Sequence, residues 1–528
     1  MNSVANNETP AEFTPSGARR LYSSIDHIRA AAWLYGVETA RTRHASVLVL
    51  GCGNGEELLT TSVKYPYAKV VGIELESENC QDAMLAMLAS ARDNLQLYSA
   101  SLETFLEADL GKFDFIIVQD SFAFLSNALT DAILLSCQQR LSEKGIIAID
   151  WLCQPGAKFA ETLRDAMQIH SSRASTHHGQ IEHARTMLDW LDQTTVKTST
   201  TKKLISHTNE NAQKLSDVLL SHHYLSSDHN ASYLIEFNER IETIGLTYVG
   251  DLRPATEHAS YFNDEMTESW LALSSGAGKI LTQQYLDIAV NRNRRFSLIV
   301  NKSRNAEILD TVDYDRLVGM RWAGSFRRRS HNIRHSPNLL AGHDGTPIAT
   351  DDITTLGILD ILGEAWPHSV SFEQLVFHTR LPDDDPLETD EQSHPEKVLA
   401  ALTALFKTNF AGLHYLREVE PVSAEHELGV APAVTAQLLA QPEASSLINL
   451  WSEAVNVSDE ERAMMRSQEL VQNEDNRLLF EGLVLKGLLS GSVIGWKRYY
   501  QQLANQASIT EVGRIATALL LFSSNESA

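Results

Sequence analysis

The chain has 528 residues, which suggests three or four domains at about 100–200 residues per domain. Hydrophobic residues make up 43% and charged residues 21%, as in ordinary globular proteins, which excludes disorder as the dominant state. The 44 basic and 68 acidic side chains give a net charge of −24, which disfavours nucleic acid and anionic membranes as partners of the whole surface.

Cysteine content and hydropathy indicate the compartment. The cysteines Cys52, Cys80, Cys137 and Cys153 form no CxxC pair, which disfavours a disulfide scaffold and a zinc finger and fits a reducing environment. The first 20 residues are polar and lack the apolar core of a secretory signal, and no stretch approaches the roughly 18 apolar residues of a membrane span. We therefore expect a soluble, cytoplasmic protein without a membrane partner.

Short apolar runs alternate with helical patterns in the first third of the chain. Residues 46–51, 69–75, 113–119 and 145–152 are continuous apolar runs, which is typical of strands buried on both faces. Amphipathic segments separate them, and this alternation predicts a parallel sheet with right-handed crossovers. The sequence thus predicts an α/β fold with a Rossmann-like, doubly wound parallel sheet, complete within residues 1–170.

A glycine-rich segment follows the first of these strands and opens a helix. Gly51, Gly53 and Gly55 have G-x-G-x-G spacing, whereas a dinucleotide fingerprint is G-x-G-x-x-G and needs a small residue where Glu56 stands. An acidic helix start would repel a pyrophosphate but is compatible with the sulfonium and ammonium groups of S-adenosylmethionine. Glu74 ends the next strand, 23 residues after Gly51, where an acid can accept both ribose hydroxyls. The pattern favours S-adenosylmethionine, with a nucleotide site or a degenerate pocket as alternatives.

These motifs carry a family resemblance. VLVLGCGNGEELL, AKVVGIEL and GIIAID resemble a class I S-adenosylmethionine-dependent methyltransferase. HHYLSSDHNASYLIEFNERIETIGLTYVGD and QQYLDIAVNRNRRFSLIVNK are similar to the methyltransferase regulatory domain of the bacterial protein-lysine methyltransferases first recognised in rickettsiae. The resemblance implies S-adenosylmethionine as the methyl donor and lysine-bearing proteins, including cell-surface outer-membrane proteins, as acceptors. It also implies that Gly51, Gly53 and Gly55 bind the methionine part of the donor and that Glu74 binds its ribose.

The resemblance implies two further cofactor-binding residues, which match the family's positions after the third and fourth strands. Ser101 stands where the family usually has an acid near the adenine, and we expect it to accept a hydrogen bond from the adenine amine. Gln119 directly follows the fourth strand, in the turn beside the donor. The predicted cofactor-binding set is therefore completed by Ser101 and Gln119.

The candidate catalytic residues follow the fourth and fifth strands. A dry aromatic pocket lowers the pKa of an acceptor lysine and stabilises the moving positive charge. Phe122, Phe124 and Trp151 are placed to form it, with ordinary core packing as the alternative. Asp120 is predicted to orient the donor's ammonium or the acceptor amine, or else to be a turn or N-cap residue.

The remaining chain divides by composition. Residues 171–304 are predicted to be a helical, regulatory and dimerisation-like domain, and 305–350 a linker with a basic cluster. Residues 351–420 have the helix and strand order of a winged-helix-like domain, and 421–528 are predicted to be a C-terminal helical region. The histidines match no standard ligand spacing, so no metal site is predicted. Arg292, Arg294 and Arg295 are expected to brace domains through carboxylates.

Three functions remain open from the sequence. The first is a methyltransferase acting on protein lysine, with a homodimer as a further expectation and nucleic acid disfavoured. The second is a non-catalytic protein in which the methyltransferase fold serves as a binding or scaffold module. The third is a small-molecule methyltransferase, although a long C-terminal half without catalytic motifs suits a large acceptor better.

Overall fold

The computed structural model of the chain describes residues 24–52, 55–74, 92–99, 102–119, 122–199, 201–226, 228–328, 339–342, 347–380, 393–408, 412–418, 428–467, 476–491 and 495–496. Three of the predicted site residues, Gly53, Ser101 and Asp120, lie outside this described part of the chain. Their assigned roles therefore stay predictions.

One sheet of eight strands organises the larger part of the molecule. Its order is β3-β2-β1-β4-β5-β8-β7, and the short β6 pairs with the end of β5. Strands β1 to β5 run parallel to one another. The strands are β1 (Ser46–Leu50), β2 (Lys69–Glu74), β3 (Leu95–Ser99), β4 (Phe113–Val118), β5 (Leu141–Cys153), β6 (Ala231–Ser232), β7 (Leu246–Asp251) and β8 (Arg294–Asn301).

Helices cover both faces of this sheet. Val47 and Val49 of β1 enter one apolar core, which includes residues of α1 (Ile25–Leu34) and α2 (Glu56–Lys64). Leu48 and Leu50, whose side chains point the other way, enter a second core. The helices on that side are α3 (Leu102–Glu107), α4 (Asn127–Arg140) and α8 (Leu234–Thr243). A mainly parallel sheet with helices on both faces confirms the predicted α/β, Rossmann-like fold.

The sheet does not end within the first 170 residues, contrary to the predicted boundary. Strand β8 lies antiparallel beside β5, with Ile147 opposite Ile299 and Leu152 opposite Arg294, and β7 lies antiparallel beside β8. Both strands come from residues 171–304, which the sequence analysis describes as a mainly helical domain. The reason is that β5 would otherwise be an edge strand, and the apolar run of β8 covers it.

Buried arginines hold these two late strands in place. Arg295 is fully buried, and its guanidinium donates to Asp287 at 2.7 and 2.9 Å and to the Tyr248 hydroxyl at 2.9 Å. Arg292 donates to the same carboxylate at 2.7 Å, and Arg294 pairs with Asp150 of β5 at 2.5 Å. The run therefore joins β5, β7 and β8 to the helix that carries Asp287.

A helical segment separates β5 from β6. It contains α5 (Ala157–Ser171), α6 (His177–Thr194) and α7 (Lys202–Lys214), followed by helical turns over 217–225. Apolar side chains of these helices form their own core around Met167, Ala184 and Leu188. Two more helices, α9 (Asp264–Leu273) and α10 (Lys279–Ala289), lie between β7 and β8. We call residues 154–232 the helical insert below.

The chain continues into a second layered unit. The central strand β9 (Arg321–Gly324) comes from the predicted linker and pairs with β13 (Val370–Ser371) and β14 (Leu413–Leu416). Three helices accompany this sheet: α11 (Ile353–Ala365), α12 (Phe372–His378) and α13 (His394–Lys407). A small sheet of β10 (Arg327–Arg328), β11 (Leu339–Ala341) and β12 (Pro347–Ala349) lies between β9 and α11 in the chain. The winged-helix assignment stays a prediction.

The C-terminal region contains strands as well as the predicted helices. Its described helices are α14 (Pro432–Ala440), α15 (Asp459–Ser467) and α16 (Arg477–Leu485). Two short antiparallel pairs accompany them: β15 (Gly429–Val430) with β18 (Leu489–Ser490), and β16 (Ser446–Ile448) with β17 (Ala454–Asn456). Helix α14 packs close to α2 of the large sheet, where Gln437 donates to Thr60 at 3.4 Å.

Candidate functional site

The glycine loop lies at the carboxyl end of β1, where it joins α2. Gly51 and Gly55 have φ angles of +74° and +71°, in the left-handed region that a side chain disfavours. The Gly51 N–H donates to the Ile73 carbonyl at 2.9 Å, and the Gly55 N–H donates to the Cys52 carbonyl at 3.0 Å. The backbone thus turns tightly at both described glycines, and the N-terminus of α2 faces the loop.

Glu74 lies beside this loop at the end of β2. Its side chain is 5% exposed, and its backbone pairs with Ser99 of β3. Two residues earlier, Gly72 leaves room for α2, since a Cβ there would lie 2.2 Å from Leu58 Cδ1. The helix therefore packs closely on β2, which brings the glycine loop and the predicted ribose acid to one edge.

Gln119 connects the loop to the end of β4. Its backbone N–H donates to the Leu50 carbonyl at 3.0 Å, and its side-chain amide donates to Glu57 Oε2 at 3.0 Å. Because Glu57 belongs to the first turn of α2, this bond holds the carboxyl ends of β1 and β4 together. Gly51, Gly55, Glu74 and Gln119 are therefore brought together, as the predicted cofactor-binding set requires.

The predicted catalytic aromatics divide into two groups. Trp151 is 1% exposed, its ring stacks on Phe237 with centroids 4.2 Å apart, and its indole N–H donates to Ser297 Oγ at 2.9 Å. Phe122 is also buried and meets the same Phe237 edge-on. An acceptor would reach these two rings only after α8 moved, so their packing matches the alternative of core residues. Phe124 has a different environment.

Three imidazole rings surround Phe124. The ring centroids of His222 and His223 lie 4.7 and 5.2 Å from that of Phe124, and the centroid of His229 lies 6.2 Å away. Phe124 and His223 are buried, whereas His222 and His229 are partly exposed. The cluster therefore has a buried floor, and its rim reaches solvent at His222 and at His229, whose side chain is 10% exposed. We call these four residues the Phe124 cluster.

A carboxylate stands beside the rim of this cluster. Glu161 of α5 is 33% exposed, and its Oε1 lies 3.3 Å from His229 Nδ1 and accepts from Gln154 Nε2 at 3.0 Å. Burial and the positive charge of Arg164 lower the pKa of His229 to about 4. The imidazole is therefore neutral at neutral pH.

The histidines of the cluster are held in place from two sides. The returning segment adds β6 to the end of β5, with Leu152 opposite Ala231, and Gln154 N–H donates to the Ser232 carbonyl at 2.9 Å. From α5, Gln168 donates to the Ser226 and Tyr224 carbonyls at 2.8 and 3.3 Å. The segment that carries the histidines is thereby fixed at the carboxyl ends of β4 and β5.

Sequence reasoning missed the histidines of this cluster. The spacing of His222 and His223 bears only on metal ligation, and no sequence motif points to His229 or Glu161. The one available signal is the concentration of histidines in residues 222–229, but nothing in that spacing points to Phe124, nearly 100 residues earlier.

Over the described residues, no group of three or more His, Cys, Asp and Glu side chains is arranged to hold a metal ion. None of the helices in that same part of the chain combines the length and apolar character needed to cross a bilayer.

Two families match separate segments of the chain. Residues 47–145 match the family described as methyltransferase domain, and residues 216–301 match the predicted methyltransferase regulatory domain. The first match contains the glycine loop, Glu74, Gln119 and Phe124. The second contains all three histidines of the Phe124 cluster, together with β7 and β8 of the large sheet.

Curated relatives occur in rickettsiae. The uncharacterized protein RP789 of Rickettsia prowazekii is 26% identical over 293 residues, which are 55% of this chain and 52% of RP789. The uncharacterized protein RP028 of the same organism is 25% identical over 219 residues, which are 41% of this chain and 86% of that protein. The match therefore spans about half the length of RP789.

Solved structures show the same fold over most of the chain. PKMT2 from Rickettsia typhi in complex with AdoHcy aligns with a TM-score of 0.71 at 20% identity, covering 88% of this chain and 90% of PKMT2. A second structure of PKMT2 aligns with a TM-score of 0.68 at 19% identity, covering 90% and 91% of the two chains. At these identities the likeness establishes the fold.

Proposed function

Because the chain carries an S-adenosylmethionine-dependent methyltransferase domain, we propose that the protein is an enzyme that transfers methyl groups to the side-chain amines of lysines in other proteins. One observation carries this proposal. The donor residues Gly51, Gly55, Glu74 and Gln119 stand at one edge of the sheet, and an aromatic cluster around Phe124 stands next to them at the same edge. The rickettsial PKMT2, which shares the fold over most of its length, supports a protein acceptor.

The donor side supplies binding and position. The N–H groups at the start of α2 and the loop backbone would hold the methionine part, and Glu74 would offer a carboxylate to the ribose hydroxyls. S-adenosylmethionine supplies an electrophilic methyl group on a cationic sulfur, so the protein needs no further activation of the donor. What this chain must add is an acceptor held in line with that methyl group and free of its proton.

The size and charge of the remaining chain favour a large, basic acceptor. Some 350 residues follow the predicted donor-binding segment, and the chain carries a net charge of −24. An acidic surface draws lysine-bearing proteins toward the site, and salt weakens this attraction. We therefore extend the proposal to a protein partner on the outer face of the cell, as the sequence resemblance implies, reached while that partner is still in the cytoplasm. The winged-helix-like unit and a homodimer belong to the same proposal as parts of acceptor recognition.

The test is a labelling experiment with the full chain. The protein is incubated with S-adenosylmethionine carrying a radioactive methyl group and with total bacterial protein, and the labelled protein is hydrolysed to amino acids. Label in methylated lysine supports the proposal. Label confined to small molecules, or saturable donor binding without any transfer, contradicts it, and the latter result would identify a binding module.

A further inference from the structure

We propose that the Phe124 cluster, together with Glu161, is the pocket that receives the acceptor lysine, with the amine held against the ring of Phe124 and hydrogen-bonded to His229. This inference rests on the proposed function and names the acceptor site within it. Neither the sequence motifs nor the two matched families assign a role to these histidines.

The position of the cluster follows from the strand order. The glycine loop follows β1, Phe124 follows β4, and the histidine segment is paired with the end of β5. Neighbouring strands lie about 4.8 Å apart, so the loop and the cluster are separated by only one to two strand spacings at the same edge. A donor held by the glycine loop and Glu74 would lie over β1 and β2, next to the ends of β4 and β5 where the cluster lies.

The chemistry of methyl transfer sets what this pocket must provide. The lysine nitrogen attacks as the free amine, its proton having passed to solvent, and its lone pair forms the new N–C bond. The S–C bond breaks and its electron pair stays on the donor sulfur. Positive charge therefore passes to the nitrogen, and an aromatic face next to that nitrogen stabilises it.

His229 has the properties of a hydrogen-bond acceptor for an amine. Its pKa of about 4 keeps the ring neutral, so it does not repel the charge that develops. With Nδ1 facing Glu161 at 3.3 Å, the proton of the neutral ring belongs on Nδ1 and the lone pair on Nε2. The charged groups near it in the described part of the chain include Glu161, Arg164 and Asp165, and its ring lies beside that of Phe124.

Glu161 gives the pocket its preference for a cation. Its carboxylate is one-third exposed and fixed by Gln154, so it lies at the rim where a lysine side chain enters. A carboxylate there attracts the ammonium form before the proton is lost. The aliphatic part of the lysine side chain then lies along Phe124, while arginine would bring a planar guanidinium that cannot become a free amine at neutral pH.

Variants of the full-length protein test this pocket, with poly-L-lysine as the acceptor and labelled S-adenosylmethionine as the donor. We expect His229→Ala to lower kcat at least tenfold and Phe124→Leu to raise KM for the polymer at least fivefold. Glu161→Gln should raise KM as well, most strongly at low salt. His229→Gln should restore part of kcat, because its amide oxygen accepts a hydrogen bond. Calorimetric binding of S-adenosylhomocysteine should stay within twofold in all four variants.

The helical insert offers a matched control pair. His178 and Glu182 have the same residue types 3.5 Å apart, on the exposed surface of α6. His178→Ala and Glu182→Gln should leave kcat and KM within twofold of the wild-type values. If the pocket variants fold, bind S-adenosylhomocysteine and methylate the polymer like these controls, the pocket is wrong and the proposed function stands. If the wild-type protein labels lysine neither in the polymer nor in bacterial protein, the proposed function fails and the pocket fails with it.

Discussion

The two halves of the candidate site are built in different ways. The donor half comes from residues 51–119, in which each group follows directly from a strand of the parallel sheet. The acceptor half joins Phe124 to Glu161 and to histidines that lie about 100 residues further along, after the four helices α4 to α7 have intervened. A binding site for a common donor can be local and regular, whereas the surface that selects the acceptor depends on long-range packing.

The largest expected effect comes from removing the late strands. A protein that ends at residue 170 lacks β7 and β8 and exposes the edge of β5 along Ile147–Leu152. We expect it to aggregate or to unfold, with no measurable donor binding by calorimetry, although all the donor residues are present. If the short protein is soluble and binds the donor like the full chain, the donor half does not depend on β7 and β8. That result would contradict the prediction.

A smaller but still large effect is expected at Arg295. Arg295→Met removes one cationic partner of the buried Asp287 carboxylate. Breaking a buried ion pair lowers the free energy of unfolding by about 3–5 kcal/mol. Urea unfolding measures the change. The matched control is Lys302→Met, which removes an exposed pair with Glu242 and should cost about 1 kcal/mol or less. If both variants lose the same free energy of unfolding, the buried Arg295 stabilises the late strands no more than an exposed ion pair does.

On the donor half, Glu74→Ala is expected to affect binding more than stability. Losing a hydrogen bond to a charged group costs about 1.5–3 kcal/mol, so donor affinity should fall by about tenfold or more. Calorimetry with S-adenosylhomocysteine measures this loss, and the melting temperature of the unbound protein reports stability. Normal affinity in the folded variant would show that the end of β2 does not hold the ribose.

The smallest effect is expected from Gly55→Ala. A residue with a side chain loses about 1–2 kcal/mol of stability in the left-handed region. At Gly55 this strain lies within the donor loop. Gly111 is a matched control, since its φ is +79°, a Cβ added there would meet no atom within 4 Å, and it precedes β4 at the opposite edge. Gly111→Ala should lose similar stability and keep full donor affinity. If both variants bind the donor equally well, the loop conformation does not matter for binding.

The sequence predicts the donor half because its signals are local. Continuous apolar runs identify β1, β2, β4 and most of β5, and the positive φ angles of Gly51 and Gly55 explain why glycines stand there. Each of these features is decided within a few residues of chain. The fold class follows from them, and the cofactor-binding roles of Gly51, Gly55, Glu74 and Gln119 stay predictions.

Other parts of the fold depend on contacts that no local pattern contains. Trp151 follows an apolar run at a strand end, which fits a pocket or a core equally well, and only the later Phe237 decides for the core. The run FSLIV in β8 has the composition of a buried strand, but its partner β5 lies about 150 residues away. The histidines of the Phe124 cluster come close to Phe124 through the pairing of β6 with β5, which no local pattern predicts.

The bond between Gln154 and Ser232 has a consequence for evolution and engineering. The helical insert leaves the sheet at Gln154 and returns at Ser232, and these two residues are hydrogen-bonded neighbours. A segment whose ends meet can be lengthened, shortened or exchanged without displacing the strands on either side. The insert also supplies Glu161 and the histidines of the Phe124 cluster. Recombination at this one junction would therefore replace these residues and leave the glycine loop intact. Under the proposed acceptor pocket, an exchange at this junction changes the acceptor while the sheet and its glycine loop stay the same.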